Sequence, residues 1–424
     1  MYFKYKIKNT GEYFYYSNKD NSLYTEDFSP IILDKKNTIS LPKKINKINK
    51  PKILRISIGK TCNYNCSYCL QESISDKNDI NINAKELDVF IENILKLDLT
   101  NLFRVELWGG EPFIYWDIIK KIISSPIDSE KITWYICTNG SLINFDHIDF
   151  LDKIKGYIEI GISHDGPKQE SVRGRCPLNR LIPILQRLDK TPEHYGYGFQ
   201  VTVSHNNCDV YEIQEFFVDY ILKNNLQSAS VTYVPVESYD VVSYASTVHG
   251  DNLYKMRKSI KKLLDKNISD FLSGNKHDYM SAHSLFATSE SGVFGFLRAL
   301  NDSTAWMYAD RCGAQWDELI SLDIKGNILT CPHVSVDNYY CGSIENIEKA
   351  EIIGLAEDNK NNYSDCLSCP SMLLCQYGCS LKVCEAYRVR SCDALFNFYL
   401  EVIKATFKFL FKSEIEYIGK EKEK

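Results

Sequence analysis

The chain has 424 residues, 44% of them hydrophobic and 25% charged, with a formal net charge of -5. That length allows two or three domains with real cores, and the composition is that of a globular protein. The weakly negative balance excludes an enzyme drawn to nucleic acid by bulk charge, and no apolar run is long enough to span a bilayer. The start, MYFKYKIKNT, lacks the apolar core and small-residue cleavage site of a signal peptide. The fifteen cysteines are therefore expected in a reducing cytoplasm, as metal ligands more than as disulfides.

Residues 1–50 are rich in Tyr and Phe with alternating polar positions, and read as a small antiparallel hairpin unit with Asn-Thr-Gly and Asn-Lys-Asp-Asn turns. Such a unit serves either as a cap or as a peptide-docking edge. The cationic stretch LPKKINKINKPK, residues 41–52, reads as a solvated linker. From residue 53, β-branched runs alternate with amphipathic ones: ILRISIG, NAKELDVFIENILKLD, LFRVELW, YWDIIKKIISS, ITWYICT, YIEIGIS, LIPILQRLDK, FQVTVSH, YEIQEFFVDYILKN and ASVTYVPV. Six strands with intervening helices predict an α/β fold, a partial (β/α)6 TIM-like barrel, whose chemistry sits where strands end. Residues 251–273 read as a bridging helix, and the C-terminal run ALFNFYLEVIKATFKFLFKSEIEYI as a packed helix followed by a solvated KEKEK tail. The expected units are 1–50, a barrel over 51–245, a helical bridge over 246–305, a cysteine-rich unit over 306–400 and a helix with tail over 401–424.

Directly after the first barrel strand, Cys62, Cys66 and Cys69 stand in KTCNYNCSYCL at C-x3-C-x2-C spacing. Three thiolates at a strand end can hold three irons of a 4Fe-4S cluster and leave the fourth iron open. Disulfides lack an oxidising context, and zinc usually takes C-x2-C pairs with a second pair or histidines downstream, which a lone C-x3-C-x2-C fits poorly. The second strand ends in WGGEPF, where Gly109, Gly110, Glu111 and Pro112 form a turn that lets backbone groups approach a ligand; Glu111 either accepts from an ammonium or serves as a helix N-terminal acid. CTNGSL and SHDGPKQESVRGR follow the third and fourth strands, and their Asn and Asp before Gly are also ordinary turn formers.

A second group begins at Cys312, separated by thirteen residues from Gly326 and by four more from Cys331. Cys366, Cys369, Cys375, Cys379 and Cys392 continue it as C-x2-C-x5-C-x3-C-x12-C. Cys341 reads as a small buried residue, Cys384 is open between packing and ligation, and Cys137, Cys176 and Cys208 lack partners at ligand spacing. His333 reads as an ordinary surface or supporting histidine, and Asp317 and Glu318 as surface carboxylates.

The C-x3-C-x2-C run, with Tyr68 before its third cysteine, resembles the signature of the radical SAM superfamily, and WGGEPF resembles that family's GGEP motif. The resemblance implies that S-adenosylmethionine chelates the open iron and is cleaved to a 5'-deoxyadenosyl radical that abstracts a hydrogen atom. It implies catalytic roles for Cys62, Cys66 and Cys69, and cofactor contacts from Tyr68, Gly109, Gly110, Glu111, Pro112, Asn139, Ser163 and Asp165, with Arg173 as partner of the methionine carboxylate. The second cysteine group resembles the SPASM extension of peptide-modifying members, which carries two auxiliary 4Fe-4S clusters. That scheme gives Cys366, Cys369, Cys375 and Cys392 to one cluster and Cys312, Cys331 and Cys379 to the other, whose fourth ligand is not supplied by any cysteine just upstream of Cys312. The expectation is thus three clusters, one radical SAM and two auxiliary.

The string RCGAQWDELISLDIKGNILTCPHVS looks like maturases that form three-residue cyclophanes in ribosomally made precursor peptides. It implies a cytoplasmic oxidoreductase with a precursor-peptide substrate and a reductant such as flavodoxin or ferredoxin. Thioether formation and formylglycine-forming sulfatase maturation are the neighbouring chemistries, and an iron-sulfur electron carrier is the reading without catalysis.

Overall fold

The computed structural model describes residues 1–19, 21–32, 49–69, 82–227, 229–238, 240–274, 292–301, 317–331, 340–351, 364–375, 378–379 and 384–421. Near the N-terminus four short strands form, β1 (Tyr2–Ile7), β2 (Tyr13–Ser17), β3 (Ser22–Thr25) and β4 (Pro30–Ile32). Phe3, Tyr5, Phe14, Tyr16 and Leu23 are fully buried, while Tyr2 and Lys4 face outward. Period-2 alternation buries one face of such a sheet and wets the other.

The barrel strands are β5 (Ile53–Ser57), β6 (Arg104–Trp108), β7 (Thr133–Thr138), β8 (Tyr157–Ser163), β9 (Tyr195–Val203) and β10 (Ala229–Pro235). Helices α1 (Ala84–Leu95), α2 (Trp116–Ile123), α3 (Phe145–Leu151), α4 (Gln169–Arg173), α5 (Leu178–Leu188) and α6 (Val210–Lys223) separate them. Each strand pairs in parallel with the next, β5 through β10, as the alternating pattern predicts. Apolar positions such as Leu54, Val105, Trp134, Ile160 and Phe199 are buried against the helices. Polar positions turn inward, and at the floor Arg55 Nε donates to Glu106 at 2.7 Å, Arg104 Nε to Glu106 at 2.8 Å and Arg104 Nη1 to Glu159 at 2.6 Å. Higher in the lumen, Gln200 donates to the Tyr135 hydroxyl. The helix between the third and fourth strands, α3, was not expected, and β9 starts four residues earlier than FQVTVSH because Gly196 and Gly198 interrupt its apolar pattern.

After β10 come α7 (Val241–Ser246) and α8 (Asp251–Ser273), the latter over the very residues the sequence marks as a helix. Three further strands extend the barrel sheet from its first strand. β11 (Leu319–Asp323) pairs in parallel with β5, and β12 (Asn327–Leu329) and β13 (Tyr340–Ser343) follow antiparallel, giving the order β10-β9-β8-β7-β6-β5-β11-β12-β13. The long helix Glu385–Phe411 packs along α8, with Arg257 on α8 bonded to the buried Glu401 at 2.8 Å.

The end of the chain departs from the expected solvated tail. β14 (Ile415–Glu421) pairs antiparallel with β1, so the N-terminal unit is a five-stranded sheet, β14-β1-β2-β3-β4. Phe407, fully buried, meets Tyr5, Phe14 and Tyr16 with ring centroids 5.0, 5.2 and 5.9 Å away. Among the described residues no helix is long and apolar enough to cross a membrane.

Two predictions follow the packing and the lumen floor. Phe407→Ala is expected to cost about 3–5 kcal/mol by leaving a cavity under the sheet, measured by denaturant unfolding; a loss below about 1 kcal/mol would show that the sheet is not held by this contact. Burial would raise the Glu106 carboxyl, yet Arg55 and Arg104 override it and the net shift is downward from 4.5. A group held low contributes stability above its unfolded value and loses it as pH falls through the folded one. Glu106→Gln should therefore be less stable than the parent at neutral pH, with the gap narrowing below about pH 4.5, and a pH-independent gap would contradict this.

Candidate active site

The loop after β5 carries Cys62, Cys66 and Cys69, each half-buried. It lies against the loop after β6 backbone to backbone: Gly110 N–H donates to the Gly59 carbonyl at 3.0 Å, and Glu111 N–H to the Thr61 carbonyl at 3.0 Å. A Cβ on Gly110 would sit 2.3 Å from the Thr61 oxygen, and one on Gly109 2.8 Å from the Gly59 oxygen. Both glycines are thus required by the neighbouring chain. Their carbonyls take no hydrogen bond from the described residues, which leaves acceptors for an ammonium group.

Glu111 is differently placed from the expected ammonium acceptor. It is fully buried, and it accepts from Thr138 Oγ1 at 2.6 Å, Asn139 N–H at 2.7 Å and Phe113 N–H at 3.1 Å. Burial raises its carboxyl above the ordinary range, and the three donors act against that. It therefore braces the β6 and β7 loops, with Pro112 opening the turn that follows. The Asn139 amide turns to the cysteine loop, 2.9 Å from Asn63 Oδ1 and 3.8 Å from Cys62 Sγ.

Asp165 is likewise held by protein donors. It is fully buried and accepts from the Tyr68 hydroxyl, Arg173 Nε at 2.9 Å, Arg173 Nη2 at 3.2 Å and Thr202 N–H at 2.9 Å. The Arg173 guanidinium also lies 5.3 Å from the centre of the Tyr68 ring. Burial alone would lower Arg173, and the facing Asp165 outweighs this and holds it well above its ordinary value. Arg173 Nη1 has no partner among the described residues. Ser163 faces the lumen, its Oγ 3.8 Å from Cys137 Sγ. Burial first raises the Cys66 thiol to about 11, with Arg173 opposing it, and burial also raises Cys62.

A cavity away from the triad is lined by Cys366, Cys369, Cys375, Cys379 and Cys392 together with Glu237. Burial drives the thiols of Cys366, Cys369, Cys375 and Cys392 up, Cys366 to about 12; neighbouring sulfurs reinforce the shift at Cys366, Cys369 and Cys375, while at Cys392 Arg388 opposes it. Neutral thiols of this kind ionise when a metal displaces the proton. Among the described residues no three His, Cys, Asp or Glu side chains converge on the point a single ion would occupy. A 4Fe-4S cluster takes one thiolate per iron, and four cysteines lining one cavity supply that donor set.

Cys331 is buried past the end of β12, and Cys312 and His333 lie outside the described residues. Cys341 is buried 3.1 Å from Thr330 Oγ1, and Cys208 is also buried. Cys176, expected to be structural, is exposed, with its sulfur 3.4 Å from His164 Nε2. Cys384 is exposed at the start of the helix Glu385–Phe411. Asp317 and Glu318 precede β11, where Glu318 bonds Lys52 Nζ at 2.8 Å.

Two supporting residues escaped the sequence reading. Asn18, buried in a turn read only as a turn, donates through Nδ2 to the carbonyls of Leu367 at 3.2 Å and Cys369 at 3.0 Å. Glu237 follows β10, and the rule that barrel chemistry sits at strand ends was the signal that would have found it.

An α/β partial barrel with a polar lumen and a thiolate triad at its first strand end defines a class of enzyme that works through an iron-sulfur centre. Residues 56–195 match the family model of the Radical SAM superfamily. The chain is also 30% identical over 259 residues to GTP 3',8-cyclase of Clostridium perfringens (strain SM101), covering 59% of this chain and 73% of that one. The chain belongs to the radical SAM superfamily, which implies a 4Fe-4S cluster and S-adenosylmethionine. It is 23% identical over 373 residues to the cysteine-type anaerobic sulfatase-maturating enzyme of Clostridium perfringens (strain 13 / Type A), covering 82% of this chain and 93% of that one. The radical SAM cyclopropyl synthase TigE of Paramaledivibacter caminithermalis is 26% identical over 200 residues, and the match spans only 42% of either chain. Among solved structures, native anSMEcpe with bound AdoMet superposes with a TM-score of 0.55 at 19% identity, over 85% of this chain and 97% of that one. Streptococcus suis SuiB bound to precursor peptide SuiA gives 0.51 at 18%, over 78% and 72%. At these identities the likeness is one of fold.

Asn18→Ala should remove both amide bonds to the Cys366–Cys369 loop, costing about 1–3 kcal/mol and speeding maleimide labelling of Cys366 and Cys369 in iron-free protein. An unchanged labelling rate would show that the loop is held otherwise.

Proposed function

We propose that the chain is a peptide-modifying radical oxidoreductase that crosslinks side chains of a ribosomally made precursor, joining a side-chain carbon to an aromatic ring in the cyclophane manner. The observation that carries this reading is the cavity formed by Cys366, Cys369, Cys375 and Cys392, a second cysteine centre beside a triad-bearing barrel. A redox-neutral transformation does not call for a second centre, whereas bond formation after hydrogen abstraction leaves an electron that must go somewhere.

In this reading Cys62, Cys66 and Cys69 hold three irons, and the carbonyls of Gly109 and Gly110 receive the methionine ammonium. When bound, the cluster and S-adenosylmethionine supply one-electron cleavage of the sulfonium and a 5'-deoxyadenosyl radical. The free Nη1 edge of Arg173 faces the methionine carboxylate while its other edge stays on Asp165, and Ser163 and Asn139 border the nucleoside. Cys366, Cys369, Cys375 and Cys392 hold one auxiliary cluster, and Cys312, Cys331 and Cys379 contribute to the other. Residues 51–245 form the catalytic unit and 306–400 the SPASM unit, with flavodoxin or ferredoxin as reductant.

Sulfatase maturation is the second reading, favoured by the match to the sulfatase-maturating enzyme over 93% of its length. The two separate by product. Anaerobically reconstituted protein with S-adenosylmethionine, a reductant and the precursor encoded beside it is expected to yield a peptide lighter by two hydrogens per crosslink and inert to hydrazides. A hydrazide-reactive aldehyde establishes the second reading, and an unchanged peptide mass despite 5'-deoxyadenosine release rejects both.

A further inference from the structure

Three consecutive residues after β10 touch both cysteine centres. Val236 is buried with Tyr68 and Val172, and Cys66 packs against that small cluster. Glu237 Oε2 accepts the backbone N–H of Cys379. Ser238 N–H donates to Ser391 Oγ at 2.6 Å, one residue before Cys392. The strand that ends the barrel is thus bonded to the backbone that presents two of the cavity's cysteines.

Glu237 is the charged member of this bridge, and it lines the cavity together with the sulfurs. Gly378 has φ +66°, and a Cβ there would sit 2.9 Å from Glu237 Oε2, so the turn before Cys379 is shaped to admit the carboxylate. A fixed anion lining the cavity opposes any further negative charge placed there.

Resting on the auxiliary-centre reading above, we propose that Glu237 is a positioning and potential-setting residue where the two auxiliary centres meet: it fixes Cys379, a ligand of one, through the backbone, and from the wall of the cavity of Cys366, Cys369, Cys375 and Cys392 it keeps the other hard to reduce. Reduction adds one electron to the cluster, and removing the fixed negative charge makes that addition easier. Glu237→Gln keeps an oxygen for the Cys379 N–H while discarding the charge, so it isolates the electrostatic role. Glu237→Asp keeps the charge one methylene further back.

The test uses full-length protein with Cys62, Cys66 and Cys69 replaced by alanine, so that the remaining iron reports the two auxiliary centres. Iron and sulfide per chain are assayed, and the midpoint of each auxiliary EPR signal is read during a mediated dithionite titration. The expected result is unchanged iron in Glu237→Gln, a midpoint moved to more positive potential, and a value between the two in Glu237→Asp. Unmoved midpoints with full iron overturn the role of Glu237 and leave the auxiliary reading standing. Loss of iron from Glu237→Gln alone also overturns it, because the carboxylate would then be a ligand. No iron in the triple-alanine parent overturns the auxiliary reading and the proposal with it.

Discussion

A buried charge pair sits directly beneath the cysteine loop, and the shape of that loop depends on it. Asp165 and Arg173 are both withdrawn from water, so each is tolerable only while the other is in place, and breaking such a pair by removing one partner costs about 3–5 kcal/mol. The carboxylate spends its remaining lone pairs on the Tyr68 hydroxyl and the Thr202 N–H. Tyr68 is the residue before Cys69, and Ser67 N–H is tied to the Val172 carbonyl at 2.8 Å. The fourth barrel strand's loop therefore dictates where the first strand's cysteines stand. Backbone bonds from Gly110 and Glu111 dictate the other side, so the loop is held by residues that do not belong to it.

The polar lumen has the same logic on a larger scale. Parallel strands covered by helices bury their outward positions at no polar cost, while the inward positions must satisfy one another. Arg55, Glu106, Arg104 and Glu159 do so at the floor as one chain of alternating charge. Toward the strand ends the half-exposed Cys137, Ser163 and Thr202 take over, Thr202 accepting from Arg173 Nη2 at 3.3 Å.

How much of this the sequence reveals depends on the range of each interaction. The six barrel strands are legible because each carries its own apolar alternation, and α8 because its periodicity runs unbroken over 23 residues. The cysteine spacings are legible because ligands close in sequence share a loop. β14 was hidden because its alternation of Ile415 and Tyr417 with charged residues makes sense only beside β1, some four hundred positions away. β11 was hidden because a five-residue buried run has no period to separate strand from helix. Asp165 and Glu111 were expected at the cofactor because their motifs resemble those of the radical SAM family, and sequence carries no sign of the protein donors each carboxylate meets. Only the fold brings Thr138, Asn139 and Arg173 to their carboxylates.

The N-terminal sheet changes meaning once its neighbours are known. As a sequence it was a cap or a docking edge; as a structure it closes with β14 and rests on Phe407 of the helix Glu385–Phe411. That same helix carries Cys392 near its start, and the turn after β2 carries Asn18, bonded to the Cys366–Cys369 loop. Both termini are thus joined into one support under the second cysteine cavity, while Val236, Glu237 and Ser238 fasten that cavity to the barrel. A centre anchored from two sides holds its distance and orientation to the triad more tightly than one carried on its own loops.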